Sequence, residues 1–244
     1  MYNRHYIFDK LYLPKSQMNN DKSQRHNLSF RIGTQNSRWK LDGGINLKAM
    51  LINAVFLRYQ LDEQDTTLTV KRLYFKILPS ATIAYSLNDV SEVKLSLSLT
   101  SQPPYFLQLS NFIDKNNLYN WVSGNPDLKS VDYYSVYCGY THNKEKWNAS
   151  AEVFFNYTNN ETENLSIPVN SLITLSKPEN IAQNTNTGLD ISFWYELNNK
   201  FNFSISSSFF HTFFNLKDLS SIAEQLNLIL PDMSKRQFGY YVKY

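Results

Sequence analysis

The chain has 244 residues, 24 basic and 21 acidic side chains for a net charge of +3, and a single cysteine, Cys138. That length can bury a sizeable core in one large all-β domain or two small ones. The basic residues are scattered and form no stripe for a nucleic-acid backbone, one cysteine permits no internal disulfide or cysteine metal cluster, and no apolar run nears the roughly 18 residues of a membrane-spanning helix.

Charged residues make up only 18% of the chain and aromatics 15%, with Asn and Ser plentiful, so the polar surface is largely uncharged. The opening stretch MYNRHYIFDKLYLPKSQ has neither the continuous apolar core nor the small-residue cleavage site of a secretory signal. From there the dominant period is two, the signature of half-buried strands. In NLSFRI, Leu28, Phe30 and Ile32 share a face, and in WKLDGGINLKA so do Trp39, Leu41, Gly43, Ile45, Leu47 and Ala49, against Lys40, Asp42, Gly44, Asn46 and Lys48. The richest apolar run, AMLINAVFL at 49–57, is short and interrupted by Asn53. ATIAYSL groups Ile83, Tyr85 and Leu87, and VKLSLSLT sets Val93, Leu95, Leu97 and Leu99 against Lys94, Ser96, Ser98 and Thr100.

Residues VSGNPDLKS, 122–130, form a turn cluster: Gly124 tolerates unusual backbone angles, and Asn125, Pro126 and Asp127 suit a type I turn, with Leu128 after them. Beyond it, Tyr134, Val136, Cys138 and Tyr140 share a face, Cys138 acting as a small hydrophobe. The next strand sets Trp147, Ala149, Ala151, Val153, Phe155 and Tyr157 against Asn148, Ser150, Glu152, Phe154 and Asn156. LDISFWYEL then sets Leu189, Ile191, Phe193, Tyr195 and Leu197 against Asp190, Ser192, Trp194 and Glu196, and Phe201, Phe203, Ile205 and Phe209 continue the habit. The spacing predicts about nine or ten strands, several near the length of about 9 to 11 residues that crosses a membrane. Helical spacing is expected only in SSIAEQLNLIL, at 220–230.

The connections alternate in length. Short turns follow Thr34, Leu87, Thr141 and Leu197, while longer polar loops are expected at about 53–70, 102–130, 159–186 and 215–236. That is the connectivity of an up-and-down barrel with tight periplasmic turns and large extracellular loops. Alternation alone does not orient a sheet, because a soluble sandwich also alternates. The connection lengths, the aromatics gathered near strand ends at Trp39, Tyr140, Trp147, Tyr157 and Phe201, and the Ser-, Asn- and Gly-rich polar face favour the barrel. The fold expected is therefore all-β, an antiparallel up-and-down meander forming part of a transmembrane β-barrel. Its lipid-facing residues would include Val93, Leu95, Leu97, Leu99, Val153, Phe155, Ile191 and Phe193.

A family is recognisable in the central third. Phe75, Leu78, Pro79 and Ser80 precede a short turn; an alternating strand runs into Pro103 or Pro104, Tyr105, Gln108 and Leu109; then come Gly124, Asn125, Pro126, Leu128 and Lys129. In order and spacing this resembles the barrel region of TonB-dependent outer-membrane receptors of the Bacteroidetes type, with SLTSQPPY standing where that family usually carries arginines. RWKLDGGINLK and NTGLDISFWYELNNKFNFSIS resemble further barrel strands. The resemblance implies a bacterial outer-membrane location, lipid as solvent, an unknown small nutrient as ligand, and a TonB energy-coupling system acting through a plug. Residues 1–244 are expected to form a single partial barrel domain, inactive alone, with neither plug nor signal peptide, and QFGYYVKY to begin a further strand. The alternatives are a soluble all-β binding protein and a small complete porin-like barrel.

No nucleophile elbow, zinc-binding helix motif or phosphate loop occurs, and His5, His26, His142 and His211 are dispersed. No enzymatic activity, catalytic residue, metal or cofactor is expected. Asp190 and Glu196 share a strand face and are expected to line a lumen rather than act as an acid/base pair. The loop aromatics Tyr105, Phe106, Phe112, Tyr119 and Trp121 could stack on a sugar, a siderophore or a peptide, or pack the loop onto the barrel rim; Gly124, Asn125, Pro126 and Leu128 are expected to be its turn scaffold.

Overall fold

A computed structural model describes residues 17–58, 66–198, 200–216 and 235–243. Ten strands form one sheet: β1 (Gln17–Gln35), β2 (Trp39–Arg58), β3 (Thr66–Asn88), β4 (Ser91–Gln102), β5 (Asn120–Val122), β6 (Val131–Lys144), β7 (Trp147–Pro168), β8 (Thr174–Asn198), β9 (Phe201–Leu216) and β10 (Lys235–Lys243). Nine of them pair antiparallel in chain order, β1-β2-β3-β4-β6-β7-β8-β9-β10, and β5 alone pairs parallel, on β8. The all-β meander read from the sequence is the fold observed.

The tight turns depend on asparagine more than on glycine, of which the chain has only seven. Asn36 Oδ1 accepts from the backbone N–H groups of Arg38 and Trp39 at 2.9 and 2.7 Å, Asn88 Oδ1 from Val90, and Asn198 Oδ1 from Lys200 and Phe201. In each case the side chain closes the corner that a backbone carbonyl would otherwise close.

Pairing register turns the alternation of each strand into two continuous faces. Leu41, Ile83, Leu95, Cys138, Val153, Leu189 and Phe209 are consecutive partners across seven strands. One residue further along, on the other face, the partners are Lys40, Ala84, Lys94, Gly139, Glu152, Asp190 and Ser208. The first face stays uncovered: Leu28, Phe30, Ile32, Ile45, Phe75, Ile77, Leu95, Val153, Phe155, Ile191 and Phe209 are exposed. On the second, Phe154 is 7% exposed and lies over Gly188, its cross-strand partner, filling the space where that residue has no side chain.

Two of the expected long loops are strand. β2 and β3 run for 20 and 23 residues, so most of 53–70 is paired backbone, with Arg58 opposite Thr66. β7 and β8 run for 22 and 25 residues and leave only Val169–Ile173 as their connection, closed by Asn170 Oδ1 accepting from Leu172 and Ile173. Polar composition suggested loop, but strands projecting beyond a membrane have no lipid-facing side and need no regular apolar alternation. Each of these strands exceeds the roughly ten residues of a membrane crossing by about as many again, or about 30 Å of extended backbone. The helix-like segment at 220–230 lies outside the described residues.

The membrane reading makes the two faces unequal to charge. In lipid vesicles Leu95→Arg should destabilise the folded protein by about 2–4 kcal/mol, whereas Ser96→Arg on the opposite face should change it by less than about 1 kcal/mol; equal effects in urea unfolding would contradict the assignment of faces.

Candidate functional site

Among the described residues, the connection between β4 and β6 is an expected loop that is not an extended ribbon, and it carries the aromatic and turn residues singled out in the sequence. Its path is set by an anomaly in β2. At AMLINAVFL both faces are apolar, and on the face opposite the uncovered one Met50, Ile52, Ala54 and Phe56 are almost wholly buried. The loop covers them. Leu109 from a short 3-10 turn (Phe106–Leu109) and Leu128 from the turn cluster are buried against Met50, Ile52, Ala54, Phe56 and Val70, with Phe106 and Phe112 packed at the edge of this core. Phe106 stacks on Phe56 with ring centroids 6.4 Å apart.

From that core the loop crosses to β8. The short strand β5 pairs with Thr174–Ser176, and Asp114 and Val122 exchange backbone hydrogen bonds at 2.7 and 3.0 Å. β2 and β8 are separated in the sheet by β3, β4, β6 and β7. The loop lies on the face opposite the uncovered apolar one, the concave face of a sheet that curls toward a barrel, and spans it from β2 to β8.

The turn cluster is the knot of the crossing. Gly124 N–H donates to the Ser110 carbonyl at 2.7 Å and Asn125 N–H to the Gln108 carbonyl at 2.6 Å. The φ of Gly124 is not positive, so the expectation of unusual backbone angles fails; glycine is needed for space, because a Cβ would overlap the Gln108 and Ser110 carbonyls. Asn125 is 5% exposed and fully engaged: Nδ2 donates to the Pro178 carbonyl and to Glu179 Oε2 at 3.1 and 2.8 Å, and Oδ1 accepts from Asp127 N–H. Leu128 N–H closes the turn on the Asn125 carbonyl at 3.3 Å.

On the other side, three residues of β3 two apart, and so on one face, each reach the loop or the strand after it. Arg72 donates to the Pro126 carbonyl at 2.8 Å and pairs with Asp127, Tyr74 donates to the Leu128 carbonyl at 3.0 Å, and Lys76 donates to Asp132 Oδ2 at 2.6 Å. Ser101 donates to the other oxygen of Asp132 at 2.6 Å. β3 pairs with β4 only from Ser80 to Asn88, so the half of β3 beyond Ser80 has no strand on that side and offers its side chains to the loop instead. Nothing in the sequence of this stretch announced the role beyond the spacing of Arg72, Tyr74 and Lys76.

The five aromatic candidates separate. Phe106 and Phe112 are partly buried against the core, Trp121 lies in β5 under the Lys115 ammonium, 4.2 Å from its ring centroid, and Tyr105 and Tyr119 are exposed. Of the residues named for the apolar face, Val93, Leu95, Leu97, Val153, Phe155, Ile191 and Phe193 are exposed and Leu99 is half-buried. His142 Nδ1 lies 2.8 Å from Ser91 Oγ and its ring stacks on Trp147, which makes it part of the short-turn end. Asp190 sits on the concave face opposite Glu152, with Ser208 donating to it. Among the described residues no cluster of His, Cys, Asp and Glu could hold a metal ion.

Above the loop, β7 carries a bulge at Asn160, whose φ of 56° suits asparagine, and Asn180 Nδ2 donates to its carbonyl at 2.7 Å. Burial, reinforced by Glu163, holds the Glu161 carboxyl above its ordinary pKa, and its Oε2 has no hydrogen-bond partner. A raised pKa means that the folded state binds the proton more tightly than the unfolded one, so stability is lost as pH rises through the window just above the ordinary carboxylate range. Hydrogen-exchange protection of the β7–β8 ribbon should therefore fall across that window, and Glu161→Gln should abolish the dependence. Gly124→Ala should cost about 1–3 kcal/mol and open the 103–130 loop to protease. Asp127→Ala, whose carboxylate is solvent-exposed, should cost less than about 1 kcal/mol.

Residues 28–228 match the model of the outer membrane protein beta-barrel family. No curated protein sequence matches the chain significantly. Solved structures of similar fold include the ferric-catecholate import receptor Fiu from K12 E. coli (TM-score 0.55, 14% identity, covering 93% of this chain and 32% of that one). The copper transporter OprC (0.53, 14%, 90% and 32%) and the siderophore receptor PirA from Pseudomonas aeruginosa (0.51, 13%, 80% and 45%) share it too. The chain thus spans less than half the length of each. The match covers most of the meander, and the chain belongs to the outer membrane protein beta-barrel family.

Proposed function

We propose that the chain forms part of the wall of a TonB-dependent receptor that imports a scarce small nutrient across the bacterial outer membrane. The observation that carries this reading is the pair of unlike faces on one sheet: large apolar side chains uncovered outward, and a folded loop with polar walls inward. A soluble sandwich would bury the apolar face under a second sheet. A complete small porin would pair β1 with β10, and in the described sheet each has a single neighbour.

Those two edges carry a physical demand. Backbone groups in hydrocarbon have to be paired, so an open edge needs further strands to close the ring. Transporters that enclose a plug use about 22 strands, and the nine strands of the meander, with β5 in the loop, are about two fifths of that, in keeping with coverage of 45% or less of the similar receptors. In this reading the projecting strands and the 103–130 loop face outside, the short turns closed by Asn36, Asn88 and Asn198 face the periplasm, and the exposed residues Val93, Leu95, Leu97, Val153, Phe155, Ile191 and Phe193, with Leu99, contact lipid. The wall positions ligand and does no bond chemistry. The energised step belongs to plug movement driven through TonB, as the resemblance to such receptors implies.

Deleting the gene should abolish accumulation of at least one nutrient in a panel of ferric siderophores and copper, and collapsing the proton gradient in wild-type cells should abolish accumulation of the same one. Uptake that survives loss of the gradient would remove TonB coupling, and recovery of the protein in the soluble fraction would remove the membrane reading itself.

A further inference from the structure

A recess of about 600 Å³ opens on the concave face between β1, β2 and the start of the 103–130 loop, lined among others by Arg25, Lys48, Gln102, Tyr105, Phe106 and Tyr133. Its volume lies within the range of small-molecule sites, about 300–1,000 Å³. Its charge is one-sided. Among the described residues Arg25 has no ion-pair partner, and Lys48 donates only to the Ser101 carbonyl, at 3.4 Å. Asp132, the carboxylate bound to Ser101, is held by Lys76 and so does not neutralise them.

We propose that this recess binds a small organic anion carrying a planar ring, with Arg25 and Lys48 receiving its carboxylate or phosphate oxygens and Tyr105 its ring. The proposal rests on the concave face being a solute path. An arginine fork and an ammonium are the natural donors to such oxygens, and both keep unused N–H groups here. Tyr105 is 67% exposed, yet its backbone is fixed: its N–H donates to Gln108 Oε1 at 2.9 Å, and the turn it begins is anchored through Phe106 and Leu109 in the β2 core. The residue is thus held at the recess by its backbone, which lowers the entropy lost when its ring stacks.

The outer-membrane protein that carries this chain, purified in detergent, would be titrated by calorimetry with 4-nitrophenyl phosphate, inorganic phosphate and neutral 4-nitrophenyl glucoside. The phosphate ester should bind more tightly than either of the others. Arg25→Gln, Lys48→Gln and Tyr105→Ala should each weaken it by about tenfold. Arg31→Gln, on the same face of β1 but outside the recess, should not change it. Binding of the glucoside as tight as that of the ester, or affinity unchanged in Arg25→Gln and Lys48→Gln proteins that keep the wild-type melting temperature, would overturn the anion assignment. Equal binding of inorganic phosphate would overturn the role of the ring. Neither result touches the proposed uptake function, which fails only if membrane location or energised accumulation fails.

Discussion

In hydrocarbon there is no water to satisfy a backbone N–H or C=O, and the rest of this structure follows from that constraint. Each strand has to be paired along its membrane-crossing length, so register is continuous from β1 to β4 and from β6 to β10, and shifts occur only at strand ends or in the projecting ribbons, as at Ser86/Asn88 and Thr158/Glu161. Continuous register in turn fixes which side chains face outward, since a one-residue slip would place Lys94, Glu152 and Asp190 in the row now held by Leu95, Val153 and Leu189.

The same constraint explains why a second core is needed inside. Beyond the membrane the strands are long, and a two-stranded ribbon in water is marginal alone. The chain stabilises this region by making the inner face of β2 wholly apolar at Met50, Ile52, Ala54 and Phe56 and laying the loop over it, where Leu109 and Leu128 complete a core distinct from any lipid contact. Burying a large apolar side chain contributes about 1.5–3 kcal/mol, far more than the exposed Arg72–Asp127 pair. The polar contacts of Arg72, Tyr74 and Lys76 therefore fix where the loop lies, while the apolar residues decide that it stays.

Most of the sheet was legible in the sequence because membrane and pleat impose the same period. Leu95 or Val153 can be assigned a face by counting in twos, and the register agrees at both. Legibility ended where the solvent changed. In 159–168 and 174–184 polar residues predominate and apolar ones are sparse, so strand there looked like loop, although the ladder continues through Leu165 and Lys177. AMLINAVFL was noticed as an apolar run, but only the structure shows that its two faces have different partners. The recess was invisible for a related reason: Arg25 and Lys48 lie on neighbouring strands, but Tyr105 reaches them through tertiary packing with no spacing signature.

The loop's anchoring also bears on how the inner face would handle a solute. A loop held by one hinge could swing, but this one is fixed at β2 by Leu109, at β3 by the Leu128 and Pro126 carbonyls, and at β8 by Asn125. These anchors lie on both sides of the turn cluster, so moving it as a unit would break the β2 core and the buried Asn125 network together. Leaving that side chain's donors and acceptor unsatisfied would cost about 1–3 kcal/mol for each group. The loop is therefore better suited to narrowing the path than to opening and closing it, and a ligand would meet Tyr105 already in place. If the chain is the receptor wall proposed above, movement during transport would come from elsewhere in the receptor, and this wall would supply the fixed surface against which it occurs.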